Sequence, residues 1–167
     1  MTLALLILLA LASACDIRSH RIPNLLSLAG LGLGLAEHVW RGGGAGLLLS
    51  LEGVAAACLA LLPYALGGLG AGDVKLLGAV GALMGPIFLL WTLPGAVFAG
   101  GLLALAWAAR RGVLRGTLLN VLFGLHLIGA RAGLGTLASA SQAGKMPLAP
   151  AIALGALFAS LHLGVLR

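Results

Sequence analysis

The stretch G-L-G-A-G-D-V-K, residues 68–75, places an aspartate between two long apolar parts of the chain. The glycines at positions 70 and 72 allow the backbone to approach neighbouring helices closely. A carboxylate at the edge of a membrane is costly, so Asp73 is a candidate functional residue. Any acidic partner must come from the other acids of the chain, which are Asp16, Glu37 and Glu52.

The composition indicates an integral membrane protein. Hydrophobic residues make up 61% of the chain and charged residues 8%, whereas soluble domains carry about 25% charged residues. Long apolar runs favour helices over a barrel, whose strands alternate in hydropathy. We therefore predict an all-α, polytopic membrane helix bundle that forms one domain over residues 1–167. The net charge of +6 does not indicate nucleic-acid binding, because the basic residues lie between apolar segments.

The apolar stretch 1–14 allows two interpretations. As a helix it would span only about 21 Å of a roughly 30 Å hydrocarbon core. As a signal peptide it would end at the small residues 12–14, with Cys15 following. The nearest positive charges, Arg18 and Arg21, come after the apolar run and not before it. We favour a short first helix that runs from the outer to the inner face, and the signal-peptide interpretation stays open.

Turn residues and charges divide the rest of the chain into about six spans. A polar loop is predicted at 16–24 and another at 37–44. The further helices are predicted at 24–36, 45–66, 74–84, 86–109 with a kink at Pro94, and 147–165. The segment 116–130 is predicted to be an interfacial helix, because Asn120 and His126 interrupt its apolar sequence.

The distribution of basic residues between the two membrane faces tests this predicted topology. One face would hold Arg18, Arg21, Lys75, Arg110, Arg111, Arg115, Arg131 and Lys145, and the other Arg41 and Arg167. The positive-inside rule makes the face with more basic residues cytoplasmic. The loop after the first helix and the loop before Asp73 would share that face.

Because these two loops share a face, Asp16 and Asp73 are the two carboxylates that can approach each other. Two aspartates in a partly desolvated site share a proton, so that one acts as acid and the other as base. Such a pair can activate water for peptide-bond hydrolysis without a metal or cofactor. The alternatives are structural: Asp16 could pair with Arg18 or Arg21, and Asp73 could cap a helix that starts at Val74.

Three segments resemble a known family. They are D-I-R-S-H-R-I-P-N at 16–24, G-A-G-D-V-K-L at 70–76 and K-M-P-L-A-P-A-I-A at 145–153. In this order they resemble the type IV prepilin peptidases, the bacterial membrane aspartic proteases with a G-x-G-D motif. The resemblance implies that Asp16 and Asp73 are catalytic. It also implies that seven residues shape the site: Gly70, Gly72, Lys75, Arg18, Arg21, Pro23 and Asn24.

The resemblance further implies a location and a substrate. The family cleaves leader peptides of prepilins and pseudopilins at the cytoplasmic face of the bacterial inner membrane, and the apolar helix of the substrate stays in the bilayer. Bifunctional members carry a large insertion near the N-terminus with four zinc-binding cysteines. Here only residues 1–15 precede Asp16, and the chain has two cysteines, Cys15 and Cys58. It therefore resembles the peptidase-only form of Tad-type (Flp) pilus systems.

No metal site or cofactor is predicted, because neither the cysteines nor the histidines show ligand spacing. Glu52 lies within an apolar helix, and we expect it to face the bundle and to pair with His38 or Arg41. An intramembrane acid also suits a small transporter or channel, which is the alternative function. A non-catalytic pilus assembly factor is a further alternative.

The predicted topology can be tested with reporter fusions. Fusions after Arg18, Lys75 and Arg115 should report a cytoplasmic location, and one within 42–44 an external location, because basic residues concentrate on the cytoplasmic side. An external Lys75 would contradict a shared face for the two aspartates.

Overall fold

The computed structural model describes residues 2–65, 69–110, 112 and 147–165, and the regular structure in this part of the chain is helical. Its elements are α1 Thr2–Ser19, α2 Asn24–Ala57, a 3-10 turn Cys58–Ala60, α3 Leu61–Ala65, α4 Ala71–Met84, α5 Pro86–Arg110 and α6 Ala149–His162. The predicted all-α class is confirmed. The interfacial helix predicted at 116–130 lies outside the described residues.

Helix α1 is longer than the sequence suggested. It packs as a bundle helix, with Leu5, Leu8 and Ala12 buried in the core, and it continues through Asp16 to Ser19. The loop predicted at 16–24 is therefore wrong in extent. No glycine or proline interrupts the helix before His20, whose φ of 48° ends it, so Asp16 is held on a helix.

Helix α2 is a hairpin with two helical arms. Gly43 departs from helical geometry with φ 55° and ψ −132°, a conformation that glycine adopts without steric penalty. The backbone of Gly46 lies against the carbonyl group of His38, which shows that the chain reverses here. The loop predicted at 37–44 is wrong in extent, because the residues on both sides of Gly43 are helical.

Both arms of α2 pack against α4. Gly34 on the first arm and Gly53 on the second pack against neighbouring backbone of α4, at Ala82 and Gly81. In a straight helix they would lie about 28 Å apart. The hydroxyl of Ser50 donates a hydrogen bond of 2.9 Å to the carbonyl of Ala82. A side chain at 34 or 53 would collide with this backbone, so the small residues permit the packing.

Helix α4 lies at the centre of the bundle, in contact with α1, α2, α5 and α6. Its core side chains are at most 2% exposed: Leu76, Leu77, Ala79, Val80, Ala82 and Leu83. Gly85, with φ 83°, ends α4, and Pro86 starts α5. This confirms the predicted break, since glycine past a helix end and proline at the next start are typical.

Two described segments are long and apolar enough to cross a membrane, as judged by length and composition: Asn24–Ala65, which contains the hairpin, and Pro86–Ala106. The structure therefore does not reproduce six such spans. Helices α4 and α6 have 14 residues each, fewer than the roughly 20 that a span needs. The last helix is shorter than the predicted 147–165.

Candidate active site

Asp16 lies near the C-terminal end of α1 and is only 7% exposed. Its Oδ2 accepts a hydrogen bond of 2.9 Å from the backbone N–H of Ala149, the first residue of α6. The N-terminal end of a helix carries unsatisfied N–H groups and a partial positive charge, so it favours a negatively charged partner. This contact ties α1 to α6 and positions the Asp16 carboxyl group.

Asp73 lies in the first turn of α4 and is 8% exposed. The helix begins at Ala71 and not at Val74, so Asp73 is its third residue and does not precede it. Its Oδ2 accepts a hydrogen bond of 3.0 Å from the backbone N–H of Gly70. A Cβ at Gly70 would lie 2.9 Å from the same oxygen, so glycine leaves room for the carboxyl group.

The electrostatic environment of Asp73 favours its protonated form. The pKa of the Asp73 carboxyl is raised from 3.8 to about 6, chiefly by burial and also by repulsion from Asp16, against the opposing effect of the hydrogen bond from Gly70. Asp73 precedes the apolar part of α4 and lies outside both candidate spans. The two carboxyl groups are thus close enough to interact, and they lie in unequal surroundings, which is typical of acid–base pairs.

The loop after α1 docks on the first turn of α4. A Cβ at Gly72 would lie 3.4 Å from the Cβ of Ile22. Lys75 Nζ donates a hydrogen bond of 2.9 Å to Asn24 Oδ1. The structure therefore brings Gly70, Gly72, Lys75 and Asn24 to the end of the bundle that holds both aspartates, as the sequence predicted for the two loops.

The other predicted site residues lie at the same end but do not touch the aspartates. Arg18 and Arg21 are exposed, and within the described part of the chain neither forms an ion pair with Asp16. Pro23 precedes the first residue of α2, with φ −59° and ψ 130°. Its extended geometry starts that helix, because proline restricts φ and cannot donate a backbone hydrogen bond.

Sequence reasoning missed the contact of Ala149 with Asp16. The signal available was the proline-rich start of the last helix, 145–153, which the resemblance had marked. Pro150 lies at the second helical position, where its lack of an N–H costs nothing. The donor is a backbone group, so no side chain in the sequence could have identified it.

Glu52 does not face the bundle or pair with His38 or Arg41, as the sequence had led us to expect. It is exposed on the second arm of α2 and does not face the bundle, because the stripe that packs on α4 is formed by its neighbours Ser50 and Gly53. Arg41 pairs with Glu37 at 2.7 Å, and His38 Nδ1 lies 3.0 Å from the carbonyl oxygen of Gly34. Both expected partners of Glu52 therefore have other contacts.

No group of three or more potential ligands, among the histidines, cysteines and acids that the structure describes, is arranged to hold a metal ion. His162 instead contacts the ring of Trp91, with centroids 3.9 Å apart. Cys15 and Cys58 are free thiols.

Comparison with known proteins gives one family. The family model described as the type IV leader peptidase family matches residues 3–109, which include both aspartates. No curated protein and no solved structure matches the chain significantly.

The raised pKa of Asp73 predicts a pH-dependent stability. A buried acid whose pKa rises from 3.8 to about 6 stabilises the fold below pH 4, and this contribution is lost as the pH increases to about 6. Asp73→Asn removes the ionisation but can still accept the Gly70 hydrogen bond. At pH 8 we expect the variant to have a free energy of unfolding about 2–3 kcal/mol above that of the wild type, from about 1.4 kcal/mol per pKa unit.

The difference should nearly vanish below about pH 3, where Asp73 is protonated in both the folded and the unfolded state. Chemical unfolding in detergent at several pH values measures it. An equal difference at pH 3 and pH 8 would show that the ionisation of Asp73 does not cause it.

Proposed function

The chain belongs to the type IV leader peptidase family, and from this premise we propose that it is a membrane aspartic endopeptidase. It would cleave leader peptides of prepilin-like substrates with Asp16 and Asp73 as its catalytic residues. Membership in a peptidase family favours this function over the transporter and the assembly factor.

The observation that carries the proposal is the meeting of two buried carboxyl groups from distant parts of the chain. Asp16 accepts a hydrogen bond from the N-terminus of α6, and Asp73 has a pKa raised to about 6. Each carboxyl group also has a backbone partner, the N–H of Ala149 for Asp16 and the N–H of Gly70 for Asp73, but these structural contacts do not require the two carboxyl groups to lie close to each other. A second carboxyl group that repels the first destabilises the fold, and such arrangements are typical of catalytic sites.

The proposed reaction needs one proton shared by the pair. The ionised carboxylate removes a proton from water, and the water oxygen bonds to the carbonyl carbon of the substrate while the protonated carboxyl group gives its proton to the carbonyl oxygen. In the second step the first carboxyl group protonates the amide nitrogen and the C–N bond breaks. The other carboxylate takes a proton from a hydroxyl group of the intermediate, which restores the starting state.

The two aspartates have different surroundings in the free enzyme. Burial favours the proton on Asp73, and Asp16 accepts a hydrogen bond from the backbone N–H of Ala149 at the start of α6. Since coupled carboxyl groups titrate together, substrate binding can redistribute the proton, and the proposal requires only that the pair carries one.

We further propose that the substrate is a prepilin or pseudopilin whose apolar helix stays in the bilayer, and that the site faces the cytoplasm at the inner membrane. The basic residues that favour this orientation include Arg18, Arg21 and Lys75, which lie at the end of the bundle that holds the aspartates. No cofactor enters the proposed reaction.

The first test replaces each aspartate by its isosteric amide. Asp16→Asn and Asp73→Asn should each abolish cleavage of a co-expressed Flp-type prepilin, and the double variant should be no worse, because groups that act as a unit are non-additive. The mobility shift of the substrate, normalised to the enzyme level in the membrane, is the measurement. Glu37→Gln and Glu52→Gln should cleave normally, since neither residue lies at this end. Activity in Asp16→Asn close to that of the wild type would leave Asp73 without its catalytic partner.

The second test compares two neighbouring glycines. A methyl group at Gly70 would come within 2.9 Å of Asp73 Oδ2, whereas one at Gly72 makes an ordinary contact of 3.4 Å with Ile22. Gly70→Ala should therefore displace the carboxyl group and reduce kcat/KM by about 10–100-fold, the usual cost of a misplaced catalytic group.

Gly72→Ala is the matched control, because the same methyl group is added two residues away. It should retain kcat/KM within about threefold, as expected for an ordinary packing change. Equal losses in both variants would mean that the glycines act through helix packing and not through Asp73.

A further inference from the structure

A groove runs between the two arms of α2, α3 and α4. Its volume is about 500 Å³, within the range of about 300–1,000 Å³ typical of small-ligand sites. Its walls are mainly aliphatic and include Leu28, Leu31, Val54, Ala57 and Leu61.

The polar groups of this groove are concentrated at one end. Lys75 and Asn24 form its rim, where the Lys75 ammonium group donates to the Asn24 amide at 2.9 Å and both side chains are exposed. Ser27 lines the groove one helical turn further in, about 4.5 Å along α2. Its hydroxyl group is buried and has no hydrogen-bond partner among the described residues, and leaving such a group unpaired costs about 1–3 kcal/mol.

We propose that this groove binds one anionic phospholipid. Lys75 holds the phosphate group, the Ser27 hydroxyl donates to an ester carbonyl of the glycerol backbone, and an acyl chain lies against the aliphatic walls. The order from the rim inwards is cation, hydroxyl donor and apolar surface, which matches the order of phosphate, ester and hydrocarbon in a phospholipid.

The position of the groove favours a lipid over the peptide substrate. Its lining residues come from α2, the 3-10 turn, α3 and α4, whereas the second carboxyl group of the candidate active site comes from α1 and is held by α6. Val74 and Lys75 line the groove, while the preceding residue, Asp73, is buried and interacts with Asp16. The two sites therefore meet at the first turn of α4, but Asp16 and Asp73 are not among the residues that line the groove.

A second cavity provides a comparison. It has about 550 Å³ between α5 and α6 and is lined by apolar residues such as Phe98, Leu102 and Phe158. It offers neither a cation nor an unpaired hydroxyl group, so it contains nothing that selects a phospholipid headgroup. The combination of charge and a buried donor distinguishes the groove on α2 and α4.

The test adds a side chain to the groove wall. Gly78 lines the groove, and a Cβ built there meets no atom within 4 Å. Gly78→Leu should place a side chain in the groove, because its Cβ has room there. Gly32 is the matched control, because it lies on α2 outside the groove and its Cβ would also meet no atom within 4 Å.

Native mass spectrometry of the full chain, released from detergent in the presence of phosphatidylglycerol, counts the bound lipid molecules. Wild type and Gly32→Leu should show one saturable lipid, and Gly78→Leu should lose it. Lys75→Gln should reduce the affinity for phosphatidylglycerol about fivefold, the contribution of one basic residue to anionic lipid binding, and should leave binding of phosphatidylcholine unchanged.

Saturable lipid binding by Gly78→Leu equal to that of wild type would overturn the proposal. So would a Gly78→Leu variant that binds lipid normally but has a raised KM for a prepilin, because the groove would then accept the substrate. The count of bound lipid does not depend on cleavage, so a failure of the proposed peptidase activity would leave it unaffected, whereas the KM comparison requires an active enzyme.

Discussion

The position of α4 depends on close contacts between its backbone and the backbone of α2. Gly34 and Gly53 approach α4 from the two arms of the hairpin, and a side chain at either residue would occupy the space of the α4 backbone. Without a driving force from water, helices in a membrane associate through such packing and through hydrogen bonds like that of Ser50 to Ala82. These contacts fix the position of α4 between the two arms of α2, and Asp73 lies in the first turn of this helix.

The candidate active site results from a conflict between burial and charge. Asp73 occupies a helix start that accommodates a carboxylate through the Gly70 N–H, yet its burial and the nearby Asp16 disfavour ionisation. Asp16 accepts a hydrogen bond from the N-terminal end of α6. Two buried carboxyl groups close to each other lower the stability of the fold. Selection for stability would not favour this arrangement, and this is the physical argument for a catalytic role.

Helix α4 also connects two surfaces with different chemistry. Asp73 faces the interior of the bundle, whereas Lys75, two residues later, lies at the rim of the groove and contacts Asn24. A ligand bound in that groove would restrain the same helical turn that carries the catalytic candidate.

The sequence by itself determined the helical class, the membrane character, the break at Gly85–Pro86 and the proximity of Asp16 to Asp73. These features follow from hydropathy, from helix-terminating residues and from the scarcity of acids, all of which are local or compositional. Tertiary structure decided that Asp16 lies on α1, that Glu52 faces outwards and that the N–H of Ala149 holds Asp16. It also decided the hairpin at Gly43 and the pKa of Asp73. Each of these depends on backbone groups or on burial by distant helices, which a pattern of side chains along one chain does not encode.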